Sequence, residues 1–535
     1  MPRTALIAAG ALMAAGSAFA ADVAQMTSAE LMQARPSSTE MAKLGRFYNV
    51  EGVIPPQCYT SIEAQYNPCY VCHQSYDDAD RPNYMRDGAL QEAYDFSDAA
   101  LTNHWANLFV DRSAQVAAIS DQEILDYINT ENYSALAPAL KARGWGGYVP
   151  DLADYHLGAA AFDEIGMAKD GSGWLAFNYK PQPSTFWPTN GSTDDVLIRL
   201  PGPFRQDAGG AASRDAYIAN IGLLEIAFQD LEETTVPPVD EAALGVDLDG
   251  DGALGVTGVI KRRATFVGGA AGHALTRMLY PQGTEFLHSV RYVGLEGDAI
   301  VVPPHMKELR YMRKTVAMTP AELRTAYGNE AQEKIDGNLP RYIDVGDAGM
   351  DTGMGWLMLG FIEDADGALR PQTNEENFFC KGCHTTTGAA VDQTWAFPRK
   401  VAGAEGWGYI DYRGMRDVPG KGQQIGEIEQ YFARVGGGDE FRSNTEMLAR
   451  WFNADGIVNV DKVRAATVYD LITPSRERAL VLNKAYRVIA GEQSFLFGRD
   501  ATVTPPVNVH SVIDSATAPT LPRDKQFTHD IRLQW

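Results

Sequence analysis

Cys69-Tyr70-Val71-Cys72-His73 and Cys380-Lys381-Gly382-Cys383-His384 place the same three reactive side chains at the same spacing twice in one chain. Two thiols separated by two residues can reach the two vinyl groups of one porphyrin. The histidine that follows is then held beneath the iron as its proximal axial ligand. The chain has five cysteines, and the two boxes use four of them. The chemistry this spacing predicts is covalent attachment of two c-type haems. A pair of redox disulfides, or a zinc site split between the boxes, would draw on the same residues.

The second axial position decides what such a haem does. A histidine or methionine there gives a six-coordinate electron-transfer centre, whereas an open position permits chemistry. His104, in Asn103-His104-Trp105, follows the first box and is the leading distal candidate. His288, in Phe286-Leu287-His288, is the second. Met350, Met354 and Met358 precede the second box and Met415 follows it, although methionines at such spacing more often pack in a core. Cys58 is left over, as a buried free thiol, a thiolate ligand or one half of an intermolecular disulfide. Arg399 and Lys400 offer cations to haem propionates.

Asp247-Leu248-Asp249-Gly250-Asp251-Gly252 supplies carboxylates at positions 1, 3 and 5 and the turn glycine at position 6 of a calcium loop. Position 12 is Gly258, where an EF-hand needs a bidentate glutamate. The loop predicts either a bound Ca²⁺ with ligands from elsewhere in the fold or an acidic turn without an ion.

These groups need an oxidising compartment, and the N-terminus predicts one. Arg3 precedes an apolar stretch ending Ala18-Phe19-Ala20, the pattern of a secretory leader cleaved after Ala20. No later segment has the roughly 18 apolar residues of a membrane span. A periplasmic or secreted location follows. The net charge of −23 argues against nucleic acid and anionic membrane as partners. It suits a redox partner protein with a basic docking patch, or solubility alone.

The elements that must position the boxes read unevenly. Ser120-Asp121-Gln122-Glu123 is a capping box that opens a helix. Ser213 to Leu231 reads as a helix with Ile218, Ile221, Leu224 and Phe228 on one face. Thr319-Pro320 opens another, with Gly328 as its stop, and Thr473-Pro474 opens one that ends near Gly491. Val196 to Leu200 and Ser289 to Val293 read as short strands. This divides the chain into a leader (1–20), a first haem region (21–150), a mixed α+β middle region with the acidic loop (151–340), and a second haem region with a C-terminal wrap (341–535).

With Cys69 to His73 and Cys380 to His384 in place, the chain resembles secreted bacterial dihaem c-type cytochromes. At a distance that group includes the dihaem cytochrome c peroxidases, the methylamine-utilisation dihaem enzymes and the rubber oxygenases. The resemblance implies a mainly α fold of helical haem domains with long loops, electron transfer between haems and often a calcium ion near them. Three functions stay open: a protein that passes electrons between its haems and an external partner, a peroxidase-type oxidoreductase with one open haem, and a structural or sensory haem module.

Overall fold

The computed structural model describes residues 25–26, 28–34, 37 and 40. From Ile54 on it describes all but 62–66, 75–80, 83–87, 93, 95, 184–185, 337, 339–341, 402, 436–443, 519 and 527–529. The leader read at residues 1–20 lies outside the described residues.

The expected mainly α fold is overturned by a nine-stranded antiparallel sheet at the centre of the molecule. Its path runs Leu175–Ala176, Leu197–Arg199, Glu285–Arg291, Met306–Lys314, Trp356–Glu363, Met350–Asp351, Ile343–Asp344. Thr193–Asp194 also pairs with Glu285–Arg291, and Leu369–Pro371 pairs with Trp356–Glu363. Every strand of this sheet comes from between the two Cys-x-x-Cys-His boxes.

Side chains alternate across the sheet, as the two-residue period of a strand requires. Phe286, Met312 and Met358 fall on one face and join the core around the Arg214–Gln229 helix. Leu287, Tyr311 and Leu359 fall on the other and pack with Leu136 and Leu140 of the Leu136–Ala142 helix. Cross-strand pairs set the register of the first face: Phe286 with Met312, Met312 with Met358, and His288 with Arg310.

The helices flank this sheet. Arg214–Gln229 starts at Ser213, whose hydroxyl accepts the Ala216 N–H, and is buried on nearly all sides rather than on one face. Asp121–Ile128 carries the full capping box of Ser120 and Glu123. The helix that starts at Pro320 runs through Gly328 to Ile335. The Arg476–Glu492 helix buries Leu480, Tyr486 and Ile489 against Val116, Ile124 and Ile362. Tyr70 and Val71 of the first box pack on Ile428, Tyr431 and Phe432 of the Glu427–Val435 helix. Among the described residues no helix is long and apolar enough to cross a membrane.

Candidate functional site

The two boxes have the same backbone. Each begins in a tight 3-10 turn, Cys69–Val71 in one and Phe379–Gly382 in the other. Cys72 and Cys383 share nearly the same conformation, with φ −105° and −103° and ψ −42° in both. The N–H of His73 donates to the Cys69 carbonyl at 2.9 Å, and that of His384 to the Cys380 carbonyl at 3.0 Å. One turn of chain thus carries two thiols and an imidazole in each case. Asn67 fixes the entry to the first box, its Oδ1 accepting the Cys69 N–H at 3.0 Å.

Although 311 positions separate them, the boxes open onto one cavity. Its walls include Cys69, Cys72 and His73 of the first box and Cys380, Cys383 and His384 of the second. The two segments touch directly: the Ala389 N–H donates to the Cys72 carbonyl at 3.0 Å. The rings of Trp105 and Phe379 meet edge to face at 5.0 Å. The atom-free space, open mouth included, is about 1690 Å³. The lining is largely apolar, with Val71, Phe186, Phe286, Met312, Met358 and Trp395.

This donor set fits haem better than zinc or a disulfide. The four box cysteines form no disulfide. Among the described residues, the one trio of metal-binding side chains gathered within 4.8 Å is Glu241, Asp247 and Asp249, so neither box converges on a point as a zinc site must. The His384 Nδ1 lies 2.8 Å from the Gln393 carbonyl. Donation there leaves Nε2 as the free lone pair, the arrangement expected of an iron-bound histidine. Burial pushes the His384 imidazole down to about 4, with Arg310, His288 and Lys381 pushing the same way against the Gln393 bond. The ring is therefore neutral at pH 7, the form that binds metal. Burial likewise raises the Cys69 thiol to about 12 and Cys383 to about 11.

Cys58 lines the cavity too, and both Cys69 and Cys383 raise its thiol further beyond the effect of burial. The leftover cysteine therefore shares the cavity with both boxes. His104 is not among the cavity-lining residues, whereas His288 is. Arg399 pairs with Glu427, and Lys400 lies 3.5 Å from Glu225, so these two cations already have carboxylate partners. The cavity's own cation is Arg310, which strand alternation places beside His288 and Met312. That row was hidden in the sequence. Phe286-x-His288 and Arg310-x-Met312 become a wall only once both segments are recognised as paired strands.

In the acidic loop, Asp247 and Asp249 gather with the buried Glu241 from the preceding helical turn. Glu241 accepts the N–H groups of Leu248, Asp249 and Gly255. Asp251 is outside this trio, and its Oδ1 accepts the Ala253 N–H.

A family model described as "-like lipoprotein" matches residues 43–469. The chain is also 33% identical over 514 residues to an "Uncharacterized lipoprotein" of Aquifex aeolicus (strain VF5), covering 85% of this chain and 86% of that protein. The chain belongs to this lipoprotein family. It is an exported protein. Membership corrects the expected place among the dihaem cytochrome c peroxidases and rubber oxygenases, and the naming of the chain as a cytochrome goes with it. Neither lipoprotein description mentions haem or electron transfer. No solved structure matches.

Proposed function

We propose that this member of the lipoprotein family attaches two haems covalently in its shared cavity and passes electrons between them and an external redox protein. The observation that carries this reading is the convergence of two identically folded Cys-x-x-Cys-His boxes on one apolar cavity. Cys69 and Cys72 would hold one haem with His73 beneath the iron, and Cys380 and Cys383 the other with His384. Bound haem supplies one-electron exchange at iron. The chain excludes water with its aromatic and methionine walls, and the direct contact between the boxes keeps the two attachment points close. The test is mass spectrometry of the exported, denatured protein. Two haem masses are expected in the wild type, and one in a chain with both Cys380→Ala and Cys383→Ala. A wild-type mass with no haem rejects the reading.

Export is read as release after Ala20. A lipid-anchored N-terminus needs a cysteine at the cleavage point, and the first cysteine of this chain is Cys58. N-terminal sequencing that starts at Ala21 is the expected result, and an anchored, uncleaved chain is the opposing one.

The Glu241, Asp247 and Asp249 trio supports a bound Ca²⁺. Calcium retained after dialysis by the wild type but lost by Asp249→Ala is the expected outcome. Equal content in the two proteins counts against it.

A further inference from the structure

The sheet wall faces the cavity with a row of side chains set by register. His288 lies opposite Arg310, and Phe286 lies opposite Met312, which in turn lies opposite Met358. All five line the cavity. The boxes occupy other walls of the same cavity and already supply one imidazole each. Among the described residues, the cavity-lining histidines are His73, His384 and His288. His288 is the one that the boxes do not account for.

Its surroundings resemble those of a metal-bound histidine. Nε2 of His288 faces Oδ2 of the buried Asp194 at 3.4 Å, an ion-pair contact rather than a formed hydrogen bond. Asp194 is held in turn by the hydroxyls of Tyr179, at 3.2 Å, and Tyr412, at 3.4 Å. Histidines that bind metal turn their second ring nitrogen to a carboxylate or carbonyl, which fixes the ring and its tautomer. His384 does so with the Gln393 carbonyl through Nδ1, leaving Nε2. His288 turns Nε2 toward Asp194 at 3.4 Å, which leaves Nδ1 for a metal. Phe186 meets the His288 ring edge to face at 5.5 Å and limits its rotation. Arg310, opposite His288, shares Glu308 with Arg499, whose guanidinium lies 4.8 Å over the ring of Phe379 beside Cys380, so this row abuts the second box. Met312 and Met358 are thioether alternatives on the same wall, but both are buried in the core that includes Trp356.

We propose that His288 is the sixth ligand, through Nδ1, of the iron carried by Cys380 and Cys383, with Asp194 as the group that orients it. This rests on the two-haem reading. It assigns the second haem a closed, nitrogen-ligated site suited to electron exchange rather than to substrate binding.

The experiment compares full-length wild type, His288→Ala and Asp194→Asn by electron paramagnetic resonance and optical spectra, with haem content counted by denaturing mass spectrometry. His288→Ala should keep two haems per chain while half of the iron moves from low spin to high spin. Added imidazole should restore the low-spin signal. Asp194→Asn should stay low spin with a shifted midpoint potential. Unchanged spin state in His288→Ala with both haems present overturns the assignment, and so does a wild-type second haem that is already high spin. If His288→Ala fails to fold, His288→Met replaces it. A raised midpoint potential for one haem is then expected, and two unmoved potentials overturn the proposal. Wild type without haem removes the two-haem reading as well, and the mass spectrum alone distinguishes that failure from the failure of His288.

Discussion

Arg310 is the residue on which the cavity's charge balance turns. It is half-buried, lies on the cavity wall and pairs at 2.9 Å with Glu308, which also pairs with Arg499 at 3.0 Å. Two guanidiniums therefore share one carboxylate, leaving excess positive charge beside Cys380, Cys383 and His384. Haem propionates would offset it. The effect on Glu308 has a definite sign. Burial pushes its carboxyl up, but Arg310 and Arg499 outweigh burial and hold it at about 2, against an ordinary value of 4.5. As pH falls, protons bind the unfolded chain first. The stability that Glu308 contributes is complete above about pH 4.5 and is lost as pH drops toward 2. Thermal midpoints measured across that window should fall more steeply for wild type than for Glu308→Gln. Equal slopes would show that Glu308 is not the group responsible.

At the scale of elements, one close approach locks the principal helix to its neighbour. Gly222 lies inside the Arg214–Gln229 helix, facing the ribbon formed by Glu233–Asp240 and Val256–Lys261. A Cβ there would come within 2.8 Å of Val236 Cγ1 and 3.0 Å of Ile260 Cδ1. Gly222→Leu should therefore cost about 1–3 kcal/mol through overpacking, read as a lower urea midpoint. An unchanged midpoint would mean that the ribbon moves away without strain. The helix itself was legible in the sequence, because its cap at Ser213 and its apolar period are local signals. So were the capping box at Ser120 and the helix ending near Gly491. The sheet was not. Met306–Lys314 reads Met-Lys-Glu-Leu-Arg-Tyr-Met-Arg-Lys, rich in helix formers and charge, yet it is a central strand. Its charges are satisfied by distant partners. Lys314 pairs with Asp392, Glu308 with Arg499, and Lys307 donates to the Gly191 carbonyl. Tertiary pairing overrides propensity there, and no local pattern reports it. The same reason hid the cavity wall, whereas the two Cys-x-x-Cys-His boxes were plain because each is five contiguous residues.

At the scale of the whole molecule, the formal charge is −23. Electron exchange with a basic redox protein should slow as salt rises, since screening shortens the reach of the acidic surface. A rate indifferent to ionic strength between low and physiological salt would exclude electrostatic steering of that encounter. The position of the sheet between the boxes also has a consequence for biogenesis. The chain is made from its N-terminus, and Cys69 precedes Cys380 by 311 residues. At the usual synthesis rates of about 5–20 residues per second, that is a delay of roughly 15–60 s. For that interval the first thiol pair exists without the segment that closes over it through the Ala389–Cys72 bond. Under the two-haem proposal, two cysteines in one turn of chain that reach an oxidising compartment in this order would face a race between haem ligation and oxidation to each other. If the proposed attachment occurs, topology sets its order: the first thiol pair would be ligated, or kept reduced, before the last third of the chain arrives to close the cavity.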